Sequence, residues 1–220
     1  MSLSRAPRSI VLVPGAVVAA LTLTACSGGS SGTAGGGGDT NFVTDTGGVA
    51  TVAKGERRAP GKLAGETLAG GRLDVADLRG KVVVMNIWGS WCTPCRAEAK
   101  HFAKVSKEYK AKGVEFVGIN VRDSNKQTAV NFEKDFGIEY PSLYDPISKL
   151  ILNGFPKGTL NPQGIPSTIV LDRDGKIAAR ALTALNEERL RSLIAPLAAE
   201  TPTGRADSKP AGRTADKADK

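Results

Sequence analysis

Two cysteines three positions apart, Cys92 and Cys95 in the segment WCTPC, are the residues with the clearest chemical potential. An apolar run typical of a buried strand ends at residue 88, and a helical pattern begins at Cys92. Cys92 is therefore expected at a helix N-terminus, where free N–H groups and the helix dipole lower the pKa of a thiol. Because the sulfurs would be neighbours, Cys95 could attack a mixed disulfide formed at Cys92. The spacing predicts thiol–disulfide exchange, with Cys92 as the exposed nucleophile and Cys95 as the shielded resolving thiol.

The residues around Cys92 are candidates for contact with a substrate. Pro94 suits the first helical turn, where its missing N–H group costs nothing, and it stiffens the loop that it forms with Thr93 between the sulfurs. Trp91 is predicted to be a partly exposed platform beside the thiol, whereas Trp88 is expected in the core. Trp91, Thr93 and Pro94 are therefore candidate substrate-binding residues.

One carboxylic acid follows the pair on the same predicted helix face. Glu98 comes three residues after Cys95, so its side chain can point inward near the sulfurs. Partial burial would raise the pKa of Glu98 and let it exchange a proton with Cys95. Alternatively, Glu98 is a first-turn acid that complements the helix N-terminus without any chemistry, and the residues alone leave both interpretations open.

A second candidate element is the segment GIPST, residues 164–168, just before an apolar strand pattern. If the Ile165–Pro166 peptide bond is cis, the backbone there would lie against the disulfide, ready to pair with a substrate strand. The sequence does not specify the isomer. Ile165 is a candidate substrate-binding residue and Pro166 a candidate active-site residue.

A lone cysteine pair also occurs in zinc sites and in structural disulfides. Zinc needs four ligands, and the only histidine, His101, lies six residues after Cys95 on another part of the helix. A disulfide that closes a four-residue loop restrains the unfolded chain little, so a purely structural role explains the pair poorly. We therefore expect no metal and no cofactor.

The elements that must position these residues follow from the hydrophobic pattern. Short apolar runs alternate with helical patterns, and the last two runs form a hairpin before a final helix. This order predicts an α/β sandwich, in which a central mixed sheet has helices on both faces and carries an N-terminal β-hairpin. The expected elements are a hairpin over 63–75, strands over 82–88, 114–120, 167–171 and 176–182, and helices over 92–112, 128–136 and from 186 onward, with a mixed segment over 141–156.

The N-terminus has the pattern of an export signal. Residues 1–8 are basic, and residues 10–23 are apolar but too few to span a bilayer. The sequence LTAC at 23–26 resembles the lipobox of bacterial lipoproteins, which implies that Cys26 carries lipid; an ordinary secretory signal is the alternative. We expect a signal peptide over 1–25, a flexible linker over 26–55, a folded domain over 56–200 and a disordered tail over 201–220. The domain would then be anchored to the cell membrane by lipid, on its extracytoplasmic face.

Composition limits the remaining possibilities. The chain has 220 residues, of which 40% are hydrophobic, and this excludes a wholly disordered protein. The net charge is +8, but the basic residues are spread along the chain and mixed with acids, so no nucleic-acid partner is expected.

Taken together, WCTPC after the strand VVVMNIW and GIPST before a later strand resemble the thioredoxin superfamily, which implies a thioredoxin-like fold. The segment from Trp88 to Glu98, with Asn86 in the strand where thioredoxin has a buried Asp, is similar to membrane-tethered TlpA/ResA-like thiol–disulfide oxidoreductases. The resemblance implies Cys92 as nucleophile and Cys95 as resolving cysteine, and residues 124–163 correspond to an insertion characteristic of the group.

The same resemblance implies roles for the acid and the proline, and it implies partners. Glu98 would be the acid near the pair, and Pro166 the cis-proline. Members of the group often reduce the heme-binding cysteines of apocytochrome c outside the membrane. The implied partners are therefore protein disulfides, such as those of apocytochrome c, and a membrane thiol–disulfide electron donor.

Three other functions fit parts of the pattern. A peroxiredoxin-like peroxidase would need a lone peroxidatic cysteine after a Pro-x-x-x-Thr segment, which is missing. A copper carrier would pair the cysteines with a distant histidine, but His101 is too close. A general disulfide oxidant shares the scaffold of a reductant, and the spacing leaves the direction of electron flow open.

Overall fold

The computed structural model describes residues 40–45 and 48–201. The predicted signal peptide, the lipid attachment at Cys26 and the tail beyond residue 201 lie outside the described residues. Within that part of the chain, no helix has the length and apolar character needed to cross a membrane.

A seven-stranded mixed sheet forms the centre of the fold, and it confirms the predicted fold class. Its order is β1-β2-β9-β8-β5-β6-β7, and a separate hairpin pairs β3 with β4. The strands are β1 (Val43–Thr44), β2 (Val49–Thr51), β3 (Ala64–Glu66), β4 (Arg72–Asp74), β5 (Val82–Trp88), β6 (Val114–Val121), β7 (Ser142–Asp145), β8 (Ser167–Leu171) and β9 (Ile177–Ala181).

The strand that leads to the cysteines lies in the middle of this sheet. β5 pairs with β6 in parallel and with β8 in antiparallel orientation, and all seven of its residues are buried. A strand covered on both faces needs a continuous apolar run, which explains the pattern VVVMNIW. The end of β5 is therefore a rigid base for the loop that carries the cysteines.

Helices and the hairpin cover the two faces of the sheet. The helices are α1 (Thr93–Lys110), α2 (Lys126–Phe136), α3 (Lys149–Gly154) and α4 (Glu187–Ala199). On one face, Phe102 of α1 and Leu190 of α4 pack in a cluster with Val84. On the other face, Leu63 before the hairpin and Ile151 of α3 pack in a second cluster with Met85 of β5.

The expectation of a flexible linker up to residue 55 is wrong for its last part. β1 and β2 add to the edge strand β9, and Phe42, Ala50 and Val52 are buried in the core. These apolar residues are few and lie beside a glycine-rich stretch, so local composition did not predict the hairpin. It is stabilised by pairing with a strand 130 residues later in the chain.

Candidate active site

The two cysteines form a disulfide at the start of α1. The sulfur–sulfur distance is 2.02 Å, and Cys92 is the N-cap residue of the helix, with Pro94 in the first turn. The backbone N–H of Cys95 donates a hydrogen bond to Sγ of Cys92 at 3.2 Å. This N–H group would stabilise negative charge on the Cys92 sulfur once the disulfide is reduced.

The expectation that Cys92 is exposed is not met in this disulfide state. Cys92 is 4% exposed and Cys95 is 1% exposed. Both pack in an apolar cluster with Trp88, Ala99 and Phe132, in which the Trp88 and Phe132 rings stack with centroids 4.4 Å apart. The disulfide is covered because β5, α1 and α2 meet at this point, which the spacing of the cysteines does not reveal.

The candidate substrate-binding residues beside the pair lie at the surface. Trp91 is 51% exposed, and the guanidinium carbon of Arg122 lies 4.7 Å from the centroid of its ring. Thr93 and Pro94 are exposed. The structure therefore places these three residues around the buried disulfide, and their contact with a substrate remains a prediction.

The segment before β8 reaches the same place from the other side. The Ile165–Pro166 peptide bond is cis, Pro166 is buried, and half-buried Ile165 packs against the cluster that contains both cysteines. Tertiary folding thus brings together two motifs that are separated by some seventy residues in the sequence.

Glu98 points into the protein, in agreement with the inward-facing interpretation. It is 2% exposed; Nδ2 of Asn86 donates to its Oε1 at 2.8 Å, and the backbone N–H of Leu185 donates to its Oε2 at 2.9 Å. Burial raises the pKa of Glu98 from 4.5 to about 7, although both hydrogen bonds act in the opposite direction. Glu98 can therefore gain or lose a proton near neutral pH, which a simple surface acid of the first turn would not do.

A second buried carboxylate, which the sequence did not single out, fixes the loop before Cys92. Asp123 accepts hydrogen bonds from the backbone N–H of Ser90 at 2.8 Å, from the Ser90 hydroxyl at 2.5 Å and from Nδ2 of Asn120 at 2.6 Å. Acidic residues often follow a strand, so the position of Asp123 in the sequence does not set it apart. Only folding brings it next to Ser90, 33 positions earlier in the chain. The network attaches the cysteine loop to the end of β6.

Metal-binding residue types do not gather at this site. Across residues 40–45 and 48–201, no group of three or more His, Cys, Asp or Glu side chains is placed to hold a metal ion. The chemistry that the arrangement supports is that of the two sulfurs and the nearby acid.

Comparison with known families and curated proteins agrees with this geometry. The family model described as Redoxin matches residues 53–194. Thiol-disulfide oxidoreductase ResA of Bacillus cereus is 30% identical over 127 residues, which cover 58% of this chain and 69% of the relative. ResA of Bacillus subtilis (strain 168) is 32% identical over 129 residues, covering 59% of this chain and 68% of the relative.

Solved structures show the same similarity. A DsbF homologue from Corynebacterium diphtheriae superposes with a TM-score of 0.64 at 37% identity, covering 72% of this chain and 99% of that chain. A secreted thiol-disulfide isomerase from Corynebacterium glutamicum gives a TM-score of 0.66 at 31% identity, with coverage of 74% and 100%. The chain therefore belongs to the TlpA/ResA-like group of the thioredoxin superfamily and is a protein-disulfide oxidoreductase.

Proposed function

We propose that this protein is a lipid-anchored, extracytoplasmic reductant of protein disulfides, with apocytochrome c heme-site cysteines as a candidate target. The observation that carries the proposed direction is the buried carboxyl group of Glu98, three residues after Cys95 on α1. When ionised, this group disfavours a second negative charge on the nearby sulfurs. Because thiolate stabilisation makes a disulfide more oxidising, a neighbouring negative charge favours a reducing pair.

The proposed reaction is a two-step exchange that conserves electrons and protons. The Cys92 thiolate attacks one sulfur of the target disulfide, a Cys92–target bond forms, and the other target sulfur leaves and takes up a proton. Cys95 then loses its proton and attacks Sγ of Cys92, which releases the second target sulfur as a thiol. The target gains two electrons and two protons, and the Cys92–Cys95 disulfide is formed.

Glu98 is proposed to take the proton that Cys95 loses in the second step. A group with a pKa of about 7 is suited to accept a proton from a thiol near neutral pH and to return it later. Glu98 accepts hydrogen bonds from Nδ2 of Asn86 and from the backbone N–H of Leu185, and these bonds orient its carboxyl group for the transfer.

The extracytoplasmic location implies a partner that re-reduces the pair. Environments outside the cytoplasm are oxidising, so the disulfide would accumulate unless a membrane thiol–disulfide donor supplies two electrons per cycle. The proposed lipid on Cys26 would hold the domain near such a donor. Replacing Cys26 with Ser should abolish incorporation of labelled fatty acid and release the protein from the membrane fraction; unchanged labelling would contradict the anchor.

The midpoint potential of the Cys92–Cys95 pair tests the direction of electron flow. We expect a value closer to the roughly −270 mV of thioredoxin than to the roughly −120 mV of DsbA. A second candidate function, a disulfide oxidant, is favoured by the N–H group of Cys95 that points at Sγ of Cys92, because it stabilises the thiolate. A potential near the upper value would establish the oxidant and refute the reductant.

A trapping experiment tests the exchange itself. Cys95→Ser should accumulate mixed disulfides between Cys92 and its protein targets, since the second step is blocked. The double variant Cys92→Ser/Cys95→Ser is the matched control and should trap nothing. If the single variant captures no partner in cells that express apocytochrome c, that target is excluded.

A further inference from the structure

One side chain contacts both of the loops that flank the disulfide. The Arg122 guanidinium lies over the Trp91 ring, next to Cys92, with a carbon-to-centroid distance of 4.7 Å. The same guanidinium donates from Nη1 to Oε1 of Gln163 at 2.9 Å and from Nη2 to the Gln163 carbonyl at 3.4 Å. Gln163 lies two residues before Ile165, whose side chain packs against the cluster around the sulfurs.

The backbone at Arg122 has a conformation that a long side chain rarely adopts. Its φ angle is +57°, in the left-handed region. Such a conformation costs free energy and persists where neighbouring contacts impose it, often at functional sites. The neighbouring residue Asp123 supplies those contacts through its hydrogen bonds to Ser90 and Asn120. The end of β6 therefore holds the cysteine loop from inside with Asp123 and from outside with Arg122.

The chemistry of this contact requires arginine. A guanidinium is planar, so it can stack on an indole and donate two hydrogen bonds from its edge at the same time. A lysine ammonium would retain the charge but could not make both contacts in this geometry. The contact fixes Trp91, which is half exposed and is the large aromatic surface next to the disulfide.

We infer that Arg122 is a positioning residue that holds Trp91 and the 163–165 loop as a preformed docking surface for polypeptide targets. A preformed surface saves the cost of ordering two loops when a polypeptide binds. A small disulfide needs access to the sulfurs alone and gains nothing from it. The inference rests on the proposed exchange reaction, and it adds a basis for preferring protein disulfides over small ones.

The test compares two disulfides in wild type and in Arg122→Gly. Glycine removes the guanidinium and suits the left-handed backbone, so any loss does not come from strain. With insulin as the protein disulfide, we expect KM to rise roughly five- to thirtyfold, in line with the cost of ordering one or two side chains when the polypeptide binds. The rate with bis(2-hydroxyethyl) disulfide, a small disulfide without charge, should stay within twofold. The midpoint potential of Arg122→Lys, which retains the positive charge, should equal that of wild type within measurement error.

Further variants separate positioning from charge and from general damage. With insulin, Arg122→Lys should resemble Arg122→Gly, because it retains the charge but loses the two hydrogen bonds to Gln163 that accompany the contact over the Trp91 ring. In a Trp91→Ala background, Arg122→Gly should have a smaller effect than in wild type. Arg189→Ala, at an exposed position of α4, is the matched control, and it should change neither the KM for insulin nor the rate with the small disulfide.

The outcomes distinguish this inference from the proposed function. Equal losses with both disulfides, a changed potential, or no change with insulin would overturn the role of Arg122 while leaving the exchange reaction intact. A wild-type protein that reduces neither disulfide would refute the exchange reaction, and with it the inference.

Discussion

The buried acid near the cysteines gives the protein a pH-dependent stability that one substitution should remove. In the folded protein, burial raises the pKa of Glu98 from 4.5 to about 7. Between these two pH values the folded state retains a proton that the unfolded state has lost. Folding is therefore weakened as the pH rises from about 4.5 to 7, and the change stops once both states are ionised.

The size of the effect follows from the two pKa values. At about 1.4 kcal/mol for each pH unit, the change from 4.5 to about 7 corresponds to about 3 kcal/mol in the free energy of unfolding. Glu98→Gln removes this titration but retains the shape of the side chain. Its amide oxygen can accept from the Leu185 N–H group, and its NH₂ group can donate to Asn86 once the Asn86 amide turns over. We expect the variant to match wild type near pH 4.5 and to exceed its stability by about 3 kcal/mol at pH 8.

Urea unfolding of the oxidised protein at several pH values between 4.5 and 8.5 measures this difference. With the disulfide intact, neither cysteine titrates, and subtracting one protein from the other cancels the titration of all other groups. Glu188→Gln, at an exposed position of α4, is the matched control for the loss of one carboxyl group and should show little pH-dependent difference. A difference between wild type and Glu98→Gln that stays constant across the pH range would refute the assignment of a raised pKa to Glu98.

Two further substitutions test the packing and the hydrogen bonds that support the site. In Gly118→Ala, the added Cβ would overlap Oγ of Ser142, so we expect a loss of about 1–3 kcal/mol in the free energy of unfolding; an unchanged melting temperature would show that this part of the sheet yields easily. Asp123→Ala removes the acceptor of three hydrogen bonds and leaves the buried N–H group of Ser90 without an acceptor. We expect the free energy of unfolding, measured with urea, to fall by about 3 kcal/mol. We also expect the reduced cysteines to be alkylated faster, because the loop before Cys92 is then held less firmly. Asp123→Asn retains one acceptor oxygen, so its free energy of unfolding should fall less than that of Asp123→Ala. Equal losses in the two variants would count against the hydrogen-bond explanation.

Patterns that depend on neighbouring residues were predictable from the sequence. The strand Val82–Trp88 has the bounds that its apolar run predicted, because a strand buried on both faces tolerates few polar side chains. The helix after it begins at Thr93, where a capping residue and Pro94 define a helix start. The short strands β1 and β2 were missed, because two or three residues carry no periodicity and their pairing partner lies far along the chain.

The site shows the same division. The spacing of Cys92 and Cys95 on a first helical turn was enough to predict thiol–disulfide chemistry, since two sulfurs at that spacing are neighbours in any helix. Only the tertiary structure determined how deeply these sulfurs are covered, and which donors face Glu98. Likewise, only the tertiary structure placed Arg122 between the two flanking loops. Burial and long-range contacts depend on where distant segments meet, and the order of residues along one segment does not contain that information.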